Sequence, residues 1–199
     1  MPLTLDQLLT LATLAAASAW TPGPNNAMLA ASGVNFGLRR TMPHVWGVAI
    51  GFTFMAFIVG LFLGEIFQRS EILREILRWG GSALLLWVAW QIGRSGGLPS
   101  AEGARPFTFL QASAFQWINP KAWVMAIAIS AQFVTVSAPY TSAALVAGVF
   151  LVTGITSALG WAWAGQAMRR WLSTSARLRA FNLTMAALIA LGVVWLILE

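Results

Sequence analysis

Charges divide the chain into long uncharged stretches, and those stretches set the number of elements. Asp6 and Arg39 bound one stretch from Gln7 to Leu38, and Arg40 and Glu65 bound another from Thr41 to Gly64. Trp79 to Gly93 is a third, which Ile72, Leu73, Ile76 and Leu77 extend at its start. Pro106 to Pro120 follows, Lys121 interrupts, Ala122 to Met168 is then uncharged for 47 residues, and Ala180 to Leu198 closes the chain. A membrane-spanning helix needs roughly 20 apolar residues. The longest stretch therefore exceeds one span, and Pro139, within Ser137-Ala138-Pro139-Tyr140-Thr141-Ser142, marks the turn that divides it. Six segments are predicted, near 5–37, 43–65, 72–93, 107–136, 141–167 and 180–198. Runs such as Ala83 to Trp90 do not alternate apolar with polar residues as spanning strands do, so the segments read as helices.

Composition narrows the class. Of 199 residues, 58% are apolar and 9% charged, against about 25% charged in soluble domains. Disordered chains and nucleic-acid binders need far more charge, and with no cysteine a disulfide scaffold is excluded. The chain reads as an all-α polytopic membrane protein. Ala17-Ser18-Ala19 looks like a signal cleavage site, but nothing before Arg39 is positive, so the first segment reads as a span. Arg94 to Pro106 has linker composition. Glu71, Glu75, Arg74 and Arg78 pair at a spacing of four, which suits a solvated extension of the third helix.

Proline spacing divides the chain again. Pro24 and Pro120 are 96 residues apart, as are Pro43 and Pro139, and Gly64 and Gly160 share the offset. This implies one transporter domain built of a first three-helix repeat (1–98), a linker (99–106) and a second repeat (107–199). Three is odd, so the second repeat enters the membrane upside down, the inverted repeat of many secondary transporters. One side then holds Arg69, Arg74 and Arg78, while the other holds Arg39, Arg40, Arg94, Arg105, Arg169, Arg170, Arg177 and Arg179. The arginine-rich side should be cytoplasmic, with both termini outside. The net charge of +6 is on this reading a topological signal.

The first helix of each repeat is broken. In Trp20-Thr21-Pro22-Gly23-Pro24-Asn25-Asn26, two prolines remove two backbone donors, and Ile118-Asn119-Pro120-Lys121 interrupts the second. Irregular backbone at membrane depth survives only inside protein or beside a wet cavity. Half-helices starting near Asn26 and Ala122 offer free N–H groups to a carboxylate. Those ending near Ala19 and Ile118 offer carbonyls to an ammonium or a cation. An α-amino acid carries both groups. Lys121 is the one full charge expected deep in the protein, where an ionised lysine costs roughly 2.5–3.5 kcal/mol on insertion scales, so it calls for a wet cavity or an anionic partner. Pro22, Gly23, Pro24, Asn25, Asn26, Asn119, Pro120 and Lys121 are the candidate substrate-binding residues, the asparagines being suited also to capping the half-helices. His44 and Lys121 are the titratable candidates for proton coupling. Gly47 and Gly51 form a GxxxG, and Thr153, Thr156, Ser157 and Gly160 a small polar stripe, both read as helix-packing features. Trp20, Trp46, Trp79, Trp161 and Trp171 read as interfacial belts.

Residues 21–41, from Thr21-Pro22-Gly23-Pro24-Asn25-Asn26 to Thr41, followed by Gly51-Phe52, resemble the N-terminal signature of the LysE/RhtB family of amino-acid exporters. Gln116 to Trp123 resembles the second signature. The resemblance implies efflux of amino acids or their derivatives across the bacterial inner membrane, driven by protons, with substrate bound between the two breaks near the midplane. It implies neutral or small amino acids or their derivatives as substrates, a lipid environment, no cofactor and no nucleic-acid partner, and it leaves a homo-oligomer open. Many members carry Asp where Asn25 stands, and no Asp or Glu falls within a predicted span. The alternative is a metal or inorganic cation exporter of the same superfamily, which an acid-free and cysteine-free interior disfavours. No HExxH or Ser/His/Asp set points to an enzyme or a metal site.

Overall fold

The computed structural model describes residues 3–63, 70–94, 105–172 and 174–198. Two helices open in the same way. Helix α1 (Leu5–Trp20) starts where Thr4 Oγ1 accepts the Gln7 N–H at 3.3 Å and Gln7 Oε1 accepts the Thr4 N–H at 2.8 Å. This reciprocal cap satisfies two otherwise orphan donors. Past the first break and three further helices, α5 (Phe109–Gln116) repeats the device with Thr108 and Gln111, at 3.2 and 3.0 Å.

Both openings run into prolines. After α1 the chain is extended at Gly23 (φ −175°, ψ −178°), and Pro24 then begins α2 (Pro24–Phe36). After α5 the chain is extended at Asn119 (φ −84°, ψ 109°), and Pro120 begins α6 (Pro120–Phe133). Proline suits the first position of a helix because the missing N–H would find no intrahelical partner there. The two expected breaks are therefore present, at 21–23 and 117–119.

Helix α3 (Leu38–Ile58) begins at Leu38, ahead of the expected start near residue 43. Gly37, at φ 79°, makes the turn from α2, a conformation that glycine adopts without a Cβ conflict. The helix begins directly after it, and Pro43 lies in its second turn, where it forfeits only the bond to the Arg39 carbonyl. Pro139, its counterpart at the offset of 96, instead opens a helix, so the two prolines do not hold equivalent places. A π-helical turn, Val59–Leu63, follows α3 in the second segment. Then come α4 (Glu71–Arg94), α7 (Pro139–Met168) and α8 (Ser175–Leu198). Thr174 Oγ1 accepts the Arg177 N–H at 3.4 Å and carries α8 back past the expected start at residue 180. Arg177 and Arg179 lie exposed on that added turn.

Among the described residues there are eight α-helices and no strand. Among the described residues three stretches are long and apolar enough to cross a membrane: Leu38–Phe62, Pro139–Met168 and Ser175–Val194. The other expected segments appear as α4, which is charged through its first two turns, and as the split pairs α1–α2 and α5–α6. Gly64, Arg69 and residues 99–104 of the expected linker lie outside the described residues.

Helix α7 is the hub, packed by α1, α2 and α3, while α5 lies on α3 and α4 pairs with α8. The α2–α7 contact is backbone to backbone. A Cβ at Gly33 would strike the Ala162 carbonyl, and one at Gly165 would strike the Ala30 carbonyl. Gly47 and Gly51 meet Phe109, Ala112 and Ser113, so the GxxxG packs against α5. The outward faces stay apolar, with Phe54, Trp87 and Trp163 exposed, as a lipid-facing surface requires. Of the tryptophans assigned to interfacial belts, Trp20, Trp46, Trp79 and Trp171 are exposed. Trp161 departs from that expectation: it packs against two buried clusters and its Nε1 has no partner.

Candidate functional site

The two breaks meet. A cavity of about 540 Å³, mouth included, is lined by Gly23, Pro24, Asn25 and Asn26 of the first break and by Asn119, Lys121 and Ala122 of the second. Residues 96 apart in sequence thus face one space. Pro22 and Pro120 are not in its lining, and their part is to stop α1 and to start α6.

The amide side chains tie the breaks together. Asn25 Nδ2 donates to Gln116 Oε1 at 2.8 Å, and Gln116 Nε2 donates back to Asn25 Oδ1 at 3.2 Å. Gln116 is fully buried and also donates to the Ala112 carbonyl at 2.9 Å. Asn26 reaches backward, its Nδ2 donating to the Ala19 carbonyl at 2.8 Å and the Thr21 carbonyl at 2.9 Å. Ser157 Oγ on α7 donates to the same Ala19 carbonyl at 2.7 Å. Lys121 Nζ donates to the Thr21 carbonyl at 3.0 Å. Carbonyls that the sequence reading left open at the end of α1 are therefore largely taken by the protein itself. Pro22 has no N–H for the Ser18 carbonyl, and Ser18 also lines the cavity.

The two helix N-termini differ. Asn119 Oδ1 accepts the Lys121 N–H at 3.2 Å, so α6 is capped by a side chain. Gly23 offers α2 no side-chain cap. Lys121 lies against that uncapped end: a Cβ on Gly23 would stand 3.0 Å from Lys121 Nζ and 3.1 Å from its Cδ. A helix N-terminus carries partial positive charge, and here a lysine ammonium adds to it. Among the described residues no Asp or Glu lines the cavity. The far wall is apolar, built from Val48, Phe52, Met125, Phe150 and Ala158. Phe52 and Phe150 meet edge to face with ring centroids 5.0 Å apart.

His44 does not line the cavity. It is 1% exposed on α3, with Nδ1 3.2 Å from Ser32 Oγ, its ring against Phe107, and Nε2 without a partner. Two polar residues escaped the sequence reading, Gln116, which bonds the lining Asn25, and Ser157, which lines the cavity itself. Gln116 stood there only as the first residue of a motif, although an amide at the end of an apolar half-helix, next to a break, is itself a signal. Ser157 belonged to a stripe read as packing, yet it reaches across to α1, while Thr153 and Thr156 bond to carbonyls of their own helix.

Comparison with known proteins adds the following. The family described as LysE type translocator matches residues 16–199. A cysteine/O-acetylserine efflux protein of Klebsiella pneumoniae is 29% identical over 186 residues, covering 92% of this chain and 92% of that protein. A homoserine/homoserine lactone efflux protein of Salmonella typhimurium is 28% identical over 177 residues, covering 86% of each. A cysteine/O-acetylserine efflux protein of Escherichia coli K12 is 27% identical over 157 residues, covering 77% of this chain and 79% of its own. No solved structure matches the chain.

Proposed function

The chain belongs to the LysE type translocator family, a family of transporters and not of enzymes, and from that premise we propose that it exports small neutral amino acids across the bacterial inner membrane. The observation that carries this reading is the uncapped N-terminus of α2 with Lys121 against it, inside an acid-free cavity. A substrate carboxylate docks there, held by the Lys121 ammonium and the free N–H groups of the first turn of α2. The α-ammonium turns to the Ser18 carbonyl, and a compact neutral side chain rests on Val48, Phe52, Met125 and Phe150. A cationic side chain would meet Lys121 and no acid, so lysine- and arginine-like substrates are disfavoured. The relatives named as cysteine/O-acetylserine and homoserine/homoserine lactone efflux proteins support a small substrate without a charged side chain.

The transport cycle on this reading is that of an inverted repeat. Three features support it. Each first helix begins at a Thr-x-x-Gln cap and restarts at a proline. Helix α1 rests on α7 as α5 rests on α3, and α3 pairs with α7 as α4 pairs with α8. Rocking of one repeat on the other alternates access to the cavity between them. Protons drive export, with Lys121 and His44 as the titratable groups inside the protein. Both termini face the periplasm. The metal-exporter alternative draws no support from a lining that lacks carboxylates and thiols.

The test is an efflux screen of amino acids from proteoliposomes of the purified protein, with and without a pH gradient. At least one small neutral amino acid should move, and faster with the gradient. Lys121→Ala should insert normally and lose transport by about tenfold or more, as expected when a charged hydrogen bond is removed. A stable Lys121→Ala protein with normal rates would overturn the carboxylate anchor.

A further inference from the structure

The three stretches long and apolar enough to cross a membrane share one end, and arginine stands at each of them. Leu38–Phe62 begins one residue before Arg39 and Arg40, Pro139–Met168 stops one residue before Arg169 and Arg170, and Ser175–Val194 carries Arg177 in its first turn. These side chains therefore lie where the apolar core of a bilayer gives way to headgroups. The acids stand elsewhere. Glu71 and Glu75 are at the opposite end of α4 from Arg94, about 28 Å or more along the helix. Asp6 opens α1, whose far end meets α7 at Ser157, itself about three turns before Arg169. Among the described residues no carboxylate thus comes within reach of the arginine-rich end.

One corner of this end is organised. Gly37, the positive-φ turn between α2 and α3, receives two side chains from the end of α7. Gln166 Oε1 accepts the Leu38 N–H at 2.6 Å, and a Cβ on Gly37 would stand 3.7 Å from Arg169 Nη1. From the first turn of α3, Arg40 lays its guanidinium over the Phe36 ring, 5.7 Å from its centroid. Leu172 and Leu178 bury against Val34 and so bring the α7–α8 turn to the end of α2. There Arg177 stacks on Trp171 at 5.4 Å and its Nη1 donates to the Trp171 carbonyl at 3.3 Å. A guanidinium laid flat on a ring keeps its N–H edge free, and that edge matches two oxygens of a phosphate. Like charges gathered without an acid repel one another, and an anion among them relieves that cost. Met168 and Trp171 are exposed beside the arginines, an apolar edge suited to an acyl chain and useless to a soluble anion.

We propose that this corner, between the α2–α3 turn and the α7–α8 turn, binds the phosphodiester headgroup of an anionic phospholipid. Arg40 and Arg169 hold the phosphate beside Gly37, Arg177 adds its charge, and Met168 and Trp171 meet the upper part of an acyl chain. A zwitterionic lipid brings its own ammonium among the arginines and is disfavoured. The corner lies at the other end of α2 from the cavity. The inference therefore needs the chain to span a membrane and does not need the cavity to be the transport site.

The experiment is native mass spectrometry of the intact, delipidated protein in detergent, with thermal unfolding as a second readout. The protein is titrated with phosphatidylglycerol, with phosphatidylcholine of the same acyl chains, and with inorganic phosphate as the soluble anion. Phosphatidylglycerol should bind about tenfold more tightly than phosphatidylcholine or better and raise the thermal midpoint, while millimolar phosphate leaves the midpoint in place. An arginine beside an anionic headgroup is worth roughly fivefold in binding, so Arg40→Gln with Arg169→Gln should weaken phosphatidylglycerol binding by about tenfold or more. Arg94→Gln with Arg105→Gln removes as much charge from the same end, on α4 and ahead of α5, and should weaken it by about threefold at most. Equal affinity for the two lipids, a midpoint moved as far by phosphate as by phosphatidylglycerol, or equal losses in the two double variants would each overturn the headgroup site. Binding is read without transport, so a failed titration leaves the proposed function standing, and a failed efflux screen leaves this inference standing. The lipid comparison on unaltered protein decides the proposal even where a variant fails to insert.

Discussion

Gly23 shows how much one missing side chain can do at the scale of the residue. Its place between two prolines stops α1 and starts α2, and its lack of a Cβ leaves room for Lys121 to lie against the α2 N-terminus. Gly23→Ala should leave the breaks in place but push the Lys121 head away, since a Cβ would sit 3.0 Å from Nζ. Transport is expected to drop about tenfold with a thermal midpoint near that of the parent, measured by efflux and by thermal unfolding in detergent. The Asn25–Gln116 pair is a different case, because both partners are amides and each satisfies the other. Gln116→Leu strands the Asn25 amide and removes the link between the breaks, a loss of about 1–3 kcal/mol. Replacing both at once, as Asn25→Leu with Gln116→Leu, should cost less than the sum of the single changes, which a double-mutant cycle on unfolding would read. His44 follows the same rule on α3. Its Nδ1 faces Ser32 while Nε2 has no partner, so His44→Phe should fold and should test its share in proton coupling through the pH-gradient dependence of efflux.

Local chemistry set the elements, and packing adjusted them. The prolines at the start of α2, α6 and α7 and the uncharged runs read directly from the chain, while the Thr-x-x-Gln boxes that open α1 and α5 were recognised only once the structure showed their reciprocal bonds. Where the expected bounds moved, a neighbouring signal outweighed the one first used. The Gly37 turn brought α3 forward past Pro43, and the Thr174 cap brought α8 forward past its arginines. The contact between α2 and α7 is the most demanding in the structure, since Gly33 and Gly165 each face a carbonyl of the other helix. Gly33→Ala or Gly165→Ala must push these helices apart at a cost of about 1–3 kcal/mol each. Because α2 carries the proposed anion site, either change should reduce both the folded yield in membranes and the transport rate per folded molecule. Gly148→Ala, with nothing within 4 Å of the added carbon, is the matched control and should behave as the parent.

At the scale of the whole molecule, the inverted repeat and the orientation are open to a direct test that the composition makes simple. The chain has no cysteine, so single cysteines can be introduced at Arg40, Arg105, Arg170 and Thr4 and challenged with an impermeant thiol reagent in intact cells. Thr4→Cys should label from outside and the three arginine positions only after permeabilisation. Labelling of Arg105 and Arg40 from opposite sides would overturn the six-span reading. Much of this protein could be argued from residues alone: the membrane class, the helical elements, the two proline breaks and the family. These follow from terms that act locally, the cost of charge and of unpaired backbone in lipid and the geometry of proline. The cavity is another matter. That the two breaks face each other, that Lys121 reaches the first break from the second, and that the α1 carbonyls are filled by Asn26 and Ser157 all depend on contacts between residues separated by up to 138 positions. No period or propensity records such a contact. It is decided by how α2 and α7 cross, where glycines let two backbones touch, and that fit exists only once the helices have packed.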